Sequence, residues 1–226
     1  MRNEQSHQKS HRITTEGDTL YYEVRGQGRP LLMIPGGGGD GGSYSAVAEI
    51  LSAEFRVITY DRRANGRSTM NFPEDFDMNQ QSRDAVAVLD AAGEKSAFVF
   101  GNSSGAVIAL DMAQTQPHAV KAVIAHEPPL ARIHPDAKEW QNLFTNVFNT
   151  AHRYGSTLAM LKFAFGIGID FSFGSALKAH RAARKGRLES GDNYLPQKAV
   201  TKYFLKQELL PVTNYLVVPR GSVEEI

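Results

Sequence analysis

The 226-residue chain contains no cysteine. Disulfides, thiolate metal sites and a cysteine nucleophile are therefore excluded. It also has no excess of either charge: 25 lysines and arginines face 24 aspartates and glutamates, for a formal net charge of +1. That balance gives no electrostatic reason to bind nucleic acid or an anionic membrane surface. Long apolar runs are missing too. The most hydrophobic later stretch, Leu158 to Phe173, is interrupted by Lys162 and Asp170, and it is shorter than the roughly 20 residues that span a bilayer. The opening, Met1 to Arg12, is polar and carries no apolar segment of a secretory signal. What is present is ordinary, 42% hydrophobic and 22% charged, as in a folded globular chain. These features predict a cytoplasmic protein with one large domain, or one domain carrying an insertion.

Hydrophobic patterning sets the expected architecture. His11 to Glu16 and Thr19 to Arg25 read as two short strands joined by Gly17-Asp18. Leu31–Ile34, Phe55–Tyr60, Ala97–Phe100 and Val120–Ala125 are short apolar runs, the mark of strands buried on both faces. Helical patterns lie between them: Ser43 to Ala53 with Ser43 as the cap, Met78 to Ala92 stopped by Gly93, and Ala106 to Gln116 stopped by Pro117. This alternation predicts an α/β fold with a mostly parallel sheet and an N-terminal β-hairpin. The pattern changes at Glu127-Pro128-Pro129. From about His134 to Gln207 only helical periodicity is found, with many aromatics, among them Trp140, Phe144, Phe163 and Phe171. That predicts a helical cap over the end of the sheet. Lys178 to Arg187 is a basic stretch without interleaved aromatics and reads as a solvated helix face. The expected organisation is a disordered N-terminus at 1–10, a core at 11–130, a cap at 131–207 and an atypical or truncated segment at 208–226. In that last segment only Tyr215 to Val218 is a candidate strand, so the last strands of such a fold are expected to be missing.

The segment richest in chemistry is Phe98-Val99-Phe100-Gly101-Asn102-Ser103-Ser104-Gly105-Ala106. A buried strand runs into Gly-x-Ser-x-Gly and then into a helix. A serine on so sharp a turn projects its hydroxyl above the sheet, and the strained backbone requires small neighbours. Gly101 and Gly105 make room for the turn. The following amide, at Ser104, sits at a helix N-terminus and points where an oxyanion develops. Ser103 is thus the candidate nucleophile; an idle serine in a glycine-rich turn is the bland alternative.

A second glycine segment, Pro35-Gly36-Gly37-Gly38-Gly39-Asp40-Gly41-Gly42, supports two readings. Gly37, Gly39 and Gly42 spell the dinucleotide spacing between a strand and a helix, with Asp61 placed for a ribose and Arg62-Arg63 for a 2′-phosphate. Alternatively, the loop supplies an oxyanion-hole amide, because glycines let the backbone approach a substrate closely. Two observations favour the second. A hairpin precedes the glycine strand, and the serine turn two strands later gives the loop a purpose. The Tyr-x-x-x-Lys of a short-chain dehydrogenase occurs only at Tyr194 to Lys198, where Pro196 breaks a helix.

The glycine loop, Tyr60-Asp61-Arg62-Arg63-Ala64-Asn65-Gly66-Arg67-Ser68, the Gly101–Gly105 turn and His126-Glu127-Pro128-Pro129 together resemble the α/β-hydrolase fold superfamily, most of all its small bacterial serine hydrolases. The likeness runs from roughly residue 12 to 130 and more loosely through the cap. Where the family has His-Gly opening its oxyanion loop, this chain has Pro35, which leaves the amide of Gly37 as donor. The resemblance implies that Asp61 and Arg67 hold their loop together, and that a histidine and an acid complete a triad with Ser103. In the family these follow the cap, yet no histidine occurs after His180. His126, at the end of the strand expected beside the serine strand, is the candidate base, with Glu127 next to it. Val218 to Ser222 resembles a protease-site linker, or else belongs to an alternative terminus.

The implied activity is hydrolysis of an ester or similarly activated acyl substrate through an acyl-enzyme on Ser103, with no cofactor and no metal. Two other readings stay open: an inactive or truncated relative that binds a ligand, and an NAD(P)-dependent oxidoreductase using Gly37 to Gly42. The expected partner is a small acyl substrate, with no nucleic acid and no membrane. A sheet edge left open by missing strands would be covered by a second copy, giving a homodimer, or by a cap packed differently.

Overall fold

The computed structural model describes residues 9–169 and 192–217. Six strands form one sheet: β1 (Lys9–Thr15), β2 (Asp18–Arg25), β3 (Arg29–Ile34), β4 (Phe55–Tyr60), β5 (Ala97–Asn102) and β6 (Val120–His126). Their spatial order is β1-β2-β4-β3-β5-β6. The β1–β2 hairpin and the β2–β4 pair are antiparallel, and β4, β3, β5 and β6 run parallel. The expected sheet is therefore present. β1 begins at Lys9, before the expected start at His11, because Lys9 and Ser10 keep register with Val24 and Glu23. Backbone pairing at a polar edge leaves no hydrophobic alternation to read. The rest of the expected disordered N-terminus, residues 1–8, lies outside the described residues.

The helices are α1 (Ser45–Leu51), α2 (Met78–Ala91), α3 (Ser104–Thr115), α4 (Ala137–Tyr154), α5 (Ser156–Gly166), α6 (Gln197–Tyr203) and α7 (Leu209–Thr213). A π-helical turn, Phe204–Glu208, joins α6 to α7. α2 buries Met78, Gln81, Ser82, Ala85, Val88 and Leu89, the i, i+3, i+4, i+7 stripe of a helix lying on a core. With α3 it covers one face of the sheet, where Leu20, Tyr22, Leu32, Ile34, Ile58 and Val99 pack. α1 covers part of the other face through Ala48, against Leu31, Met33, Val57 and Tyr44. Each fully buried Leu, Ile or Val contributes roughly 1.5–3 kcal/mol, so both faces hold the central strands.

The segment before α1 corrects one expectation. Asp40, not Ser43, is the cap: its carboxylate accepts from the Gly42 amide at 2.8 Å and opens a 3-10 turn, Gly41–Tyr44, ahead of the α-helix. The elements after β6 form their own apolar cluster of Ala131, Phe144, Val147, Ala151, Ala159, Phe204, Leu205 and Leu209. Helical structure continues beyond Gln207 to Thr213. Tyr215 to Val217 join no strand. The Tyr215 hydroxyl instead donates to Asp111 on α3 at 2.6 Å. Val218, the basic stretch Lys178 to Arg187, His180 and the linker-like Val218 to Ser222 lie outside the described residues. At the sheet edge, Ile124 of β6 is 64% exposed. No described helix is long and apolar enough to cross a membrane.

Candidate active site

β5 ends at Asn102, and the chain turns at Ser103 into α3. Ser103 has φ 51° and ψ −123°, a backbone region that non-glycine residues occupy only when the surroundings hold them there. Two contacts do the holding. The Ser103 amide donates to the His126 carbonyl at 2.9 Å, and the Ser103 carbonyl accepts from Ala106 at 2.9 Å in the first turn of α3. Ser104 is the first helical residue, so its N–H has no partner within the helix. Gly101 and Gly105 are packed against backbone: a Cβ on Gly105 would lie 2.1 Å from the Ile34 carbonyl oxygen.

The glycine loop runs beside this turn. The Gly36 amide donates to Asn102 Oδ1 at 3.1 Å, and the Tyr44 hydroxyl donates to that same oxygen. Asn102, an unspecified position in the serine motif, therefore braces the loop against the elbow. From the other side the Gly36 carbonyl accepts from Arg62 Nη2 at 2.8 Å and from the Gly39 amide at 2.8 Å. Gly37 has no room for a side chain, because a Cβ there would lie 2.6 Å from the Phe204 ring. Phe204, the brace on Asn102 and the Arg62 contact are not announced by any local motif.

Ser103 opens on a cavity of about 1230 Å³. One wall is apolar, formed by Met160, Phe163, Ile167, Val200 and Phe204. The rest of the lining is more polar and includes Tyr21, Glu23, Arg25 and Arg67. Arg67 lies 3.6 Å over the Tyr21 ring, and its Nη1 pairs with Glu23 at 2.9 Å. Burial alone would raise the Glu23 carboxyl, but Arg25, the Tyr21 hydroxyl and Arg67 outweigh it and hold the group below its ordinary value. A carboxylate depressed in the folded state binds fewer protons there than in the unfolded chain. Its stabilisation is present above the unfolded value, about pH 4.3, and is lost as pH falls through the folded one. The melting temperature should thus drop as pH is lowered below about 4.3, with a shallower drop in Glu23→Gln. Equal slopes in the two proteins would show that Glu23 is not the group responsible.

The nucleotide reading does not survive the loop geometry. Asp61 is fully buried, and its two oxygens are taken by the Gly41 amide at 2.8 Å and by Arg67 at 2.7–3.0 Å. Arg62 is fully buried against Glu208 at 2.7 Å, and Arg63 is held by Asp18 at 2.6 Å and Asp84 at 2.7 Å. The acid and both arginines that a dinucleotide would need are built into the core. Tyr194 sits in an extended segment where the Leu195 amide donates to Gly66, not in a helix with Lys198.

The histidines are dispersed. His126 is 59% exposed at the end of β6; its Nδ1 is 4.0 Å from Glu127, and its ring leans on Phe100 at 6.4 Å. Glu127 is 84% exposed with φ 51°. Neither side chain is hydrogen-bonded to Ser103 among the described residues. His134 accepts from the Asp136 amide, and His152 contacts Phe148 within α4. The structure thus brings together Ser103, Ser104, Gly37, Gly101 and Gly105, and leaves the His126 ring outside hydrogen-bonding reach of the serine.

Residues 29–214 match the family model described as the alpha/beta hydrolase fold. The chain belongs to that family. Among curated relatives it is 42% identical over 122 residues to an uncharacterized hydrolase, YraK, of Bacillus subtilis (54% of this chain, 45% of that protein). It is 35% identical over 123 residues to zearalenone hydrolase of Cladophialophora bantiana (53% and 46%). These matches span just under half the length of either relative. A solved hydrolase structure from Pseudomonas aeruginosa PA01 superposes with a TM-score of 0.61 at 19% identity, covering 87% of this chain and 71% of that one. An alpha/beta hydrolase from Sphaerobacter thermophilus gives 0.58 at 22% identity, covering 86% and 69%. At these identities the structures speak to the fold.

Proposed function

We propose that this chain is a serine hydrolase acting on an ester or other activated acyl group through an acyl-enzyme on Ser103. The observation that carries the reading is the backbone of Ser103, held at positive φ between a buried strand and a helix N-terminus and facing a cavity with one apolar wall. In this scheme Ser103 Oγ attacks the acyl carbon as its proton passes to a base. The carbonyl π pair moves to oxygen, where the amides of Gly37 and Ser104 receive the negative charge. Collapse expels the alcohol with a proton from the base, and water then cleaves the acyl-enzyme. His126 is the proposed base, since it stands at the end of the strand whose carbonyl holds the Ser103 amide. To act, its exposed ring must swing toward the serine.

The test is labelling by a fluorophosphonate, read by intact mass. A single adduct is expected, with Ser103→Ala lowering the labelling rate by more than about 10³-fold. If His126 is the base, labelling is lost in His126→Ala. An unchanged rate in His126→Ala removes that assignment while keeping the nucleophile. A folded protein that takes no label would overturn the hydrolase reading and favour a ligand-binding relative.

A further inference from the structure

The peptide group that links Gly36 to Gly37 is held from inside the protein by a charged donor. Gly36 and Gly39 are the ends of a tight turn, closed by the Gly39 amide on the Gly36 carbonyl at 2.8 Å. Gly38, at the third position, has φ 86°, which suits glycine. Arg62 grips both ends of this turn. Its amide donates to the Gly39 carbonyl at 3.0 Å, and its Nη2 donates to the Gly36 carbonyl at 2.8 Å. The second hydrogen of the same nitrogen goes to Glu208 Oε1 at 2.7 Å. On the elbow side, Gly36 gives its N–H to Asn102, and a Cβ on Gly36 would lie 3.1 Å from that of Ser103. The peptide therefore stands beside the serine with its carbonyl tied to the interior.

A trans peptide is planar, so its C=O and N–H point in opposite directions. Anchoring the Gly36 carbonyl on the buried Arg62 turns the Gly37 N–H away from the core, and Gly37 lines the cavity. The closing bond of the turn does not use that N–H. A charge-assisted bond at the carbonyl also polarises the whole amide and strengthens its N–H as a donor. Answering Glu208 is not reason enough for Arg62, since a buried ion pair is often no better a stabiliser than apolar side chains of similar volume. What this pair supplies, and a methionine–leucine pair cannot, is a charged donor on the Gly36 carbonyl.

We propose that Arg62 is a positioning residue for the oxyanion site. It fixes and polarises the Gly36–Gly37 peptide so that the Gly37 N–H faces the acyl oxygen at Ser103, and Glu208 holds the guanidinium in place. This rests on the serine-hydrolase reading for the identity of that oxygen; the anchored peptide itself does not depend on it.

The experiment joins NMR of the whole chain to fluorophosphonate labelling. In the wild type, a scalar coupling across the hydrogen bond from Arg62 Nη2 to the Gly36 carbonyl carbon is expected. A folded protein without it overturns the proposal before any variant is made. Arg62→Met with Glu208→Leu removes the pair together, and a thermal melt reports whether it folds. In that double variant the Gly36 carbonyl carbon and the Gly37 amide nitrogen should both move upfield, as they do when the carbonyl oxygen loses a hydrogen bond. Labelling at Ser103 should slow by about 10²-fold. Val88→Ala, a core truncation on α2, controls for lost stability alone and should leave both resonances and the labelling rate close to the wild type. Labelling of the folded double variant at the Val88→Ala rate overturns the positioning role and keeps the nucleophile. A wild type that shows the coupling but takes no label loses the hydrolase reading and keeps the anchored peptide.

Discussion

Glu208→Ala should lower the unfolding free energy by about 3–5 kcal/mol, the cost of stranding one charge of a buried pair. Glu208 and Arg62 are both fully buried, 2.7 Å apart. With the carboxylate gone, the guanidinium keeps only neutral acceptors, the Gly36 carbonyl at 2.8 Å and Gln81 Oε1 at 3.3 Å. Against a typical total of about 5–15 kcal/mol, this is enough to unfold much of the population near 37 °C. Glu208→Gln, which keeps an acceptor and the shape, should lose less. Arg62→Met combined with Glu208→Leu should lose less than the sum of the two single changes, because the pair leaves together. Urea denaturation of the wild type, the two Glu208 variants, the double variant and its two single changes checks the ordering. A loss below about 1 kcal/mol in Glu208→Ala would overturn the stranded-charge account. The site shares the consequence: Arg62 also holds the Gly36 carbonyl, so the variant should label more slowly at Ser103 even where it remains folded.

Much of this architecture was legible because its signals are local. β3, β4 and β5 are apolar runs, α2 shows a clean helical stripe, and the Gly101–Gly105 turn carries its own steric requirements within five residues. The role of Asp61 and Arg67 followed from a family likeness, and their mutual hydrogen bonds account for it. The unforeseen parts are pairings across the chain. Glu208 meets Arg62 across 146 positions, and nothing near Glu208 distinguishes it from a surface glutamate of a cap helix. Phe204 presses on Gly37 from the far end of the sequence, so the reason for that glycine lies in a distant ring. Tyr215 to Val218 is a candidate strand from its β-branched and aromatic character, yet the tyrosine hydroxyl finds Asp111 on α3, and Tyr215 to Val217 pair with no strand among the described residues. β-propensity states a preference for a half-buried surface, not for a partner.

Adding a single methyl to the elbow should be nearly as damaging as breaking the buried pair. In Gly105→Ala the new Cβ falls 2.1 Å from the Ile34 carbonyl oxygen and 2.7 Å from that of Pro35. In Gly101→Ala it falls 2.2 Å from the Gly105 carbonyl oxygen. These neighbours are main chain, part of the close contact between the end of β3, the end of β5 and the start of α3. Unlike a rotatable side chain they cannot step aside, so the elbow itself must move. Overpacking of this kind costs about 1–3 kcal/mol, with rigid sites at or above the upper end. The effect on Ser103 should exceed the effect on stability. A shift of about 1 Å in a reacting group lowers rates by about 10²-fold, and Ser103 and the Ser104 amide lie between the two glycines. Gly42→Ala is the control, since its Cβ meets only the Asp40 carboxylate at 2.9 Å and that side chain can turn. Turning gives up the cap that Asp40 makes to the Gly42 amide, so the variant should lose about 1 kcal/mol and label at a similar rate. Wild-type labelling in Gly105→Ala would mean that α3 can slide away from β3 without moving the serine, and the steric account of the Gly-x-Ser-x-Gly pattern in this chain would fail.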